Sequence, residues 1–365
     1  MKTNKKMLYL KTLFEAQKKL RSSDLHLYEG HPPYLRGSDG GLYAVEKYSP
    51  LKHEDMENIM KEILSQRQIE VFLQKKDFEF SSWLEDVGRF RVNFYVEYHG
   101  MSIVFRLLSD NIESIPELGL PEAVQNLAYE HSGLVLITGP NGSGKSTTMA
   151  ALLHHINETR NVNIITIENP IEVIHQPKKS VISQREVGTH VESLKDAARY
   201  LFRQDVNVVA LGELSDYESI SIALDLAETG HLVFATLHSD DVASTISRVI
   251  NVFPPDLQNM ARMKLAISLR GIVSQKLIPK QDFSGRVVAV EICLRSDEIE
   301  TLILERREEK ISKAMERERG LGMQTFHEHL FDLFQNGVIS REQAILNAPD
   351  PEEFMNMVQE QKSPA

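Results

Sequence analysis

Gly139-Pro140-Asn141-Gly142-Ser143-Gly144-Lys145-Ser146 fits the phosphate-binding pattern G-x-x-x-x-G-K-[ST] at every fixed position. The run before it, Leu134-Val135-Leu136-Ile137-Thr138, reads as a buried strand, and the residues from Ser146 to about Thr159 read as a helix. That strand–loop–helix setting separates a phosphate cradle from a chance glycine-rich turn. Glycines let the backbone curl until several N–H groups converge on one anion, and the helix N-terminus adds the positive end of its dipole. In such a loop Lys145 reaches the β- and γ-phosphates and the Ser146 hydroxyl holds Mg²⁺. The expected nucleotide contacts are therefore Gly139, Pro140, Asn141, Gly142, Ser143, Gly144, Lys145, Ser146 and Thr147. The stretch implies a protein that binds a nucleoside triphosphate.

At 365 residues the chain is long enough for two domains with their own cores. Apolar content of 42% and charged content of 25% are those of an ordinary globular protein. A net charge of −11 argues against a protein whose main task is gripping nucleic acid. The one cysteine, Cys293, sits in the strand-like run Val287 to Leu294 and reads as a packing residue. A single cysteine excludes an intramolecular disulfide framework and any cysteine-based zinc site, and a reducing cytoplasm fits. The start Met1-Lys2-Thr3-Asn4-Lys5-Lys6 is basic, but Lys11, Glu15 and the Lys18–Arg21 cluster break the apolar run that a secretory leader needs, so none is expected. No run approaches the roughly 18 apolar residues of a membrane span, so any membrane role is expected to come through a partner.

The first hundred or so residues read as a mixed α/β module. Helices are expected near Leu8–Leu20, His53–Leu64 and Gln66–Lys75, and strands near Leu25–Tyr28, Gly41–Ala44, Phe78–Trp83, Phe90–Tyr98 and Ser102–Leu107. Residues 1–108 form this module, and 109–120, with Pro116, form a linker. From Leu134 strands alternate with helices. Strands are expected at Leu134–Thr138, Asn163–Ile167, Asn207–Leu211 and Leu232–Thr236, with helices at Ser193–Phe202, N-capped by Ser193, and at Tyr217–Glu228. That alternation implies a parallel sheet flanked by helices over 121–295. Residues 296–365 read as helical and charged, with Glu305–Glu309 a solvated face or loop and Ser340 the N-cap of Arg341–Asn347.

Three further stretches bear on the nucleotide. Ile164-Ile165-Thr166-Ile167 runs into Glu168-Asn169-Pro170-Ile171-Glu172, a strand delivering two carboxylates into a turn. Val208-Val209-Ala210-Leu211-Gly212-Glu213 is a buried strand ending in an acid, where a carboxylate that holds the Mg²⁺ water shell belongs. Thr229-Gly230-His231-Leu232-Val233-Phe234-Ala235-Thr236-Leu237-His238 places a histidine at each end of another strand. Ser146, Glu168 and Glu213 are the candidate Mg²⁺ residues.

Taken in order, these motifs resemble the secretion ATPase superfamily, and within it the type IV pilus retraction ATPases of the PilT/PilU group. The resemblance also rests on Ser23-Asp24-Leu25-His26-Leu27 with Gly30 and Pro32-Pro33, on Gly88-Arg89-Phe90-Arg91-Val92-Asn93 with Phe105-Arg106, and on Gly322-Met323-Gln324-Thr325. Leu269-Arg270-Gly271-Ile272-Val273-Ser274-Gln275 leans toward the PilU side. The resemblance implies an N-terminal PAS-like α+β domain, a RecA-like P-loop ATPase domain and a helical C-terminal part. It also implies ATP and Mg²⁺ as ligands, a homohexameric ring, an inner-membrane pilus platform protein as partner, and a cytoplasmic place at the inner membrane. Glu172 would be the catalytic carboxylate, Glu213 the Walker B acid, and His231 and His238 site-coupling residues. Arg91 and Arg106 would reach phosphate across a domain or subunit boundary. From the residues alone, a solvated strand face also accounts for Arg89, Arg91 and Arg106, and Met260 and Met263 at helical spacing read as core.

The chain departs from the family pattern in places. Asn169 stands where the family carries Asp, Ser215 where it carries Arg, and Gln204-Asp205-Val206-Asn207 replaces an acidic lead-in. A short late motif is not evident in Glu298–Glu305. These changes bear on turnover and leave nucleotide binding untouched. They keep two alternatives in view: an accessory, weakly hydrolysing ring working with a paralogous retraction ATPase, and a secretion-system ATPase. A nucleic-acid motor is disfavoured by the acidic charge.

Overall fold

The structure, a computed structural model, describes residues 7–20, 22–37, 41–84, 88–108, 111–282 and 284–360. The basic start Met1–Lys6, Arg21 of the basic cluster, and Ser109 and Asp110 of the expected linker lie outside the described residues. The chain divides into two compact units: Met1–Asn111 with Asn169–Ile174 and Glu186–Glu192, and Ile112–Glu168 with His175–Arg185 and Ser193–Ala365.

The first unit holds α1 (Met7–Lys19), β1 (Asp24–Tyr28), β2 (Tyr34–Arg36), β3 (Leu42–Ala44), α2 (His53–Ile63), α3 (Gln66–Lys75), β4 (Asp77–Leu84), β5 (Gly88–Glu97) and β6 (Gly100–Leu107). Its six-stranded sheet has the order β3-β2-β1-β6-β5-β4, and every neighbouring pair is antiparallel. Alternation along β5 sends Phe90, Val92 and Phe94 into a core shared with Phe14, Leu25, Phe72, Ile103 and Phe105. The opposite face keeps its polar residues, among them Arg91 and Asn93. Ser65 caps α3 by accepting the Gln68 N–H, and the Gln68 side chain returns a bond to the Ser65 N–H. The short β2 was not expected from sequence.

The second unit holds α4 (Glu122–Asn126), β7 (Gly133–Thr138), α5 (Lys145–Thr159), β8 (Asn163–Glu168), β9 (Val181–Glu186), α6 (Leu194–Leu201), β10 (Val208–Glu213), α7 (Tyr217–Glu228), β11 (Leu232–Leu237), α8 (Val242–Asn251), α9 (Gln258–Ser268), β12 (Leu269–Pro279) and β13 (Arg286–Leu294). Beyond β13 come α10 (Asp297–Leu304), α11 (Ile311–Arg317), α12 (Phe326–Gln335), α13 (Arg341–Asn347) and α14 (Pro351–Glu360). The last residue of β9, Glu186, counts with the first unit. The seven-stranded sheet has the order β13-β12-β7-β11-β10-β8-β9. β7 and β11 are buried at all six positions each, as central parallel strands covered on both faces must be.

Four expectations are corrected. The sheet is not wholly parallel: β13 runs antiparallel to β12, because the connection from Lys280 to Gly285 is too short for a crossover. Met260 and Met263 are 40% and 57% exposed, because Ala261, Leu265 and Ala266 supply the buried face of α9. Arg89 is buried rather than solvated. Within Glu305–Glu309, Glu308 is mostly covered and pairs with the equally covered Arg262 of α9.

Candidate functional site

β7, β11, β10 and β8 run parallel and in register, with Thr138 opposite Leu237, Thr236 opposite Glu213, and Leu211 opposite Ile167. Their carboxyl ends therefore deliver Gly139, His238, Glu213 and Glu168 to one edge of the sheet, where open α/β sheets bind ligands.

The loop from Gly139 to Gly144 depends on glycine at its ends. Gly139 has φ +144°, and a Cβ there would lie 2.2 Å from the backbone oxygen of Gln275. Gly144, with φ +92°, starts α5. Gln275, buried in β12, donates from Nε2 to the Ser143 carbonyl at 2.7 Å and so fastens the loop from beneath. Below it, the buried hydroxyls of Thr138 and Ser274 share a 2.7 Å hydrogen bond, tying β7 to β12. Ser146 and Thr147 are exposed on the first turn of α5.

Lys145 folds back over the loop. Its Nζ donates to the Gly139 and Pro140 carbonyls at 2.8 and 3.0 Å and lies 3.2 Å from His238 Nδ1. His238 Nε2 lies 2.8 Å from Glu213 Oε2. An imidazole protonated on Nε2 satisfies both neighbours, donating to the carboxylate and accepting from the ammonium. Arg248 of α8 donates to the His238 carbonyl at 2.5 Å and holds this turn. Glu168 Oε1 accepts from Thr166 Oγ1 at 2.5 Å and from Gln184 Nε2 at 3.1 Å.

His231 stands at the other end of β11. Its Nδ1 is 3.1 Å from the Leu226 carbonyl and its ring meets Phe202 edge-on. At about 3.3 Å of rise per residue it is roughly 20 Å from His238, so the structure does not bring it to the loop of its own chain.

Glu172, Arg91 and Arg106 belong to the first unit. The Glu172 carboxylate takes Arg91 Nη1 at 2.8 Å, while Glu79 takes Nε and Nη2 of the same guanidinium at 2.5 and 2.9 Å. The Glu79 hydrogen bond is the chief reason that the Arg91 pKa is raised. Arg106 stands directly opposite Arg91 in the β5–β6 ladder and donates from Nε to Asp24 Oδ1 at 2.7 Å. Burial alone would raise the Asp24 pKa, but hydrogen bonds from Arg106 and Ser23 together bring it below the usual carboxylate value. The two guanidiniums thus face each other across the ladder, with the carboxylates of Glu79, Glu172 and Asp24 as their partners.

Gln275 carried no role in the sequence reading. Its signal was available as the polar stretch Ser274-Gln275-Lys276 set between the apolar pairs Ile272-Val273 and Leu277-Ile278.

A family profile described as "Type II/IV secretion system protein" matches residues 74–345. The chain belongs to that family. It is 40% identical over 333 residues to "Type IV pilus retractation ATPase PilT" of Pseudomonas aeruginosa, covering 91% of this chain and 96% of that protein. It is 33% identical to "Type IV pilus ATPase PilU" of the same organism, over 92% of this chain and 87% of that protein. The greater identity is thus to PilT, against the leaning drawn from Leu269–Gln275. A crystal structure of the pilus retraction motor PilT with bound ADP matches with a TM-score of 0.86 and 37% identity, covering 94% of this chain and 98% of that one. The α/β fold, with a β-rich N-terminal domain before an ATPase domain, is that of this family. Among the described residues no helix is long and apolar enough to cross a membrane.

Proposed function

We propose that this chain is the subunit of a ring-shaped ATPase motor that couples ATP hydrolysis to type IV pilus retraction. The observation that carries the reading is the convergence of Lys145, His238 and Glu213 on one phosphate-binding loop, in a chain similar to PilT along nearly its whole length. Lys145 would leave the Gly139 and Pro140 carbonyls for the phosphates. Glu172 would accept a proton from the attacking water, and Arg91 and Arg106 would offset phosphate charge. His231 and His238 would couple one site to the next.

The donor set suits Mg²⁺: a hydroxyl at Ser146 and carboxylates at Glu213 and Glu168, all oxygen ligands. Bound there with ATP, the cation would neutralise charge on the phosphate oxygens. A homohexamer, a cytoplasmic place at the inner membrane and an inner-membrane pilus platform protein as partner complete the reading.

The test is retraction itself. Cells lacking the gene for this chain should extend pili but fail to withdraw them, and a wild-type copy, but not a Lys145→Ala copy, should restore withdrawal. Withdrawal at the parental frequency without the gene would contradict the proposal. Asn169 and Ser215 favour a second reading, an accessory ring that works with a paralogous retraction ATPase. That reading requires withdrawal to need both proteins while this one hydrolyses little ATP alone.

A further inference from the structure

We infer that Arg89 and Glu186 are positioning residues for Glu172, gripping the backbone beside it from both sides. The inference rests on the reading of Glu172 as the catalytic carboxylate. All the groups involved belong to the first unit.

Ile171 precedes Glu172, and its peptide groups are held by two buried ions. Its N–H donates to Glu186 Oε2 at 2.9 Å. Its carbonyl accepts from Arg89 Nη2 at 2.8 Å, and the Glu172 carbonyl accepts from Arg89 Nη1 at 3.3 Å. Arg89 is 6% exposed, Glu186 1% and Ile171 4%. Ser81 closes the frame: its hydroxyl donates to Glu186 Oε2 at 2.6 Å and lies 3.1 Å from Arg89 Nη2. Glu186 also accepts the Ser81 N–H at 3.2 Å and the Thr189 hydroxyl at 2.9 Å.

A buried carboxylate and guanidinium are costly to desolvate, and an apolar frame of the same shape would cost less. Ions used here bring a fixed geometry. The planar guanidinium fork addresses two successive carbonyls with two nitrogens fixed in one plane, whereas a lysine ammonium would present a single rotatable point charge. The frame thus fixes φ and ψ at the residue from which the Glu172 side chain departs. A base misplaced by about 1 Å can lose roughly 10²-fold in rate.

The experiment compares Arg89→Lys, Glu186→Gln and the milder Ser81→Ala in the full chain, alone and combined with Glu172→Gln. Turnover, the Michaelis constant for ATP and the ATP-induced melting shift are read together. Arg89→Lys and Glu186→Gln should each lower kcat roughly 10- to 100-fold, with the Michaelis constant and the melting shift within about 2-fold of wild type. In the Glu172→Gln background the same changes should cost little more, because no base is left to position. If Arg89→Lys or Glu186→Gln does not fold, Ser81→Ala carries the test with a smaller fall of the same kind. Unchanged kcat, or an equal loss with and without Glu172, would overturn the inference. Glu172→Gln turning over at the wild-type rate would instead remove the reading beneath it.

Discussion

His238 joins Glu213 to Lys145, with Nε2 2.8 Å from the carboxylate and Nδ1 3.2 Å from the ammonium. One imidazole ring thus links the residue expected to reach the phosphates to the acid expected beside Mg²⁺. The ring cannot serve both neighbours if it is shortened to a methyl group. His238→Ala should therefore lower turnover by about 10-fold or more while ATP still raises the melting temperature, since the glycine-rich loop is left intact. Steady-state kinetics beside thermal melts checks this. An unchanged kcat would confine His238 to a structural role.

The replacements Asn169 and Ser215 bear on the rate in the same way. An amide at 169 brings no negative charge, and the short hydroxyl of the exposed Ser215 cannot make the ion pair that an arginine would. The double change Asn169→Asp with Ser215→Arg should raise kcat several-fold at a similar Michaelis constant. A fall in kcat would mean that the surroundings have been rebuilt around the present residues.

Glu291 gives the fold a pH dependence. It is buried in β13, accepts the Val242 N–H at 2.8 Å at the start of α8, and has its pKa pushed up to about 7 by burial, with Asp241 adding to the shift and the Val242 N–H and Lys276 opposing it. Because the folded value lies above the unfolded one, the native state holds the extra proton between pH 4.5 and about 7. Stability from this group is present at low pH and is lost as pH rises through the folded value. Glu291→Gln keeps the acceptor and removes the titration. The stability of the variant relative to wild type should rise by about 2 kcal/mol from pH 5 to pH 8, as read by denaturant unfolding. A difference that stays flat with pH would contradict the assignment.

Much of the fold was legible because local chemistry and tertiary fate agree. β7 and α5 arise from an apolar run, a glycine loop and a helix, and Ser193 and Ser340 cap helices as their hydroxyls require. β9 was not legible: Ser183-Gln184-Arg185 is polar, with Ser183 exposed and the other two half-buried, and an edge strand needs only one neighbour. Met260 and Met263 misled because α9 carries apolar residues on more than one face, so spacing alone could not say which face is buried. Arg89, Glu186 and Gln275 gain their roles from partners 82, 105 and 132 residues away, which no local pattern reports.

The most direct test of an ATP-hydrolysing motor is the steady-state ATPase rate of the purified full chain with Mg²⁺, set beside Glu172→Gln and Lys145→Ala, with the ATP-induced melting shift measured in parallel. Wild type should hydrolyse ATP and show the shift, since a ligand that binds only the folded state stabilises it. Lys145→Ala should lose both. Glu172→Gln should keep the shift while its turnover falls about 10²- to 10⁴-fold. A Lys145→Ala protein with the wild-type rate and the wild-type shift would contradict the account.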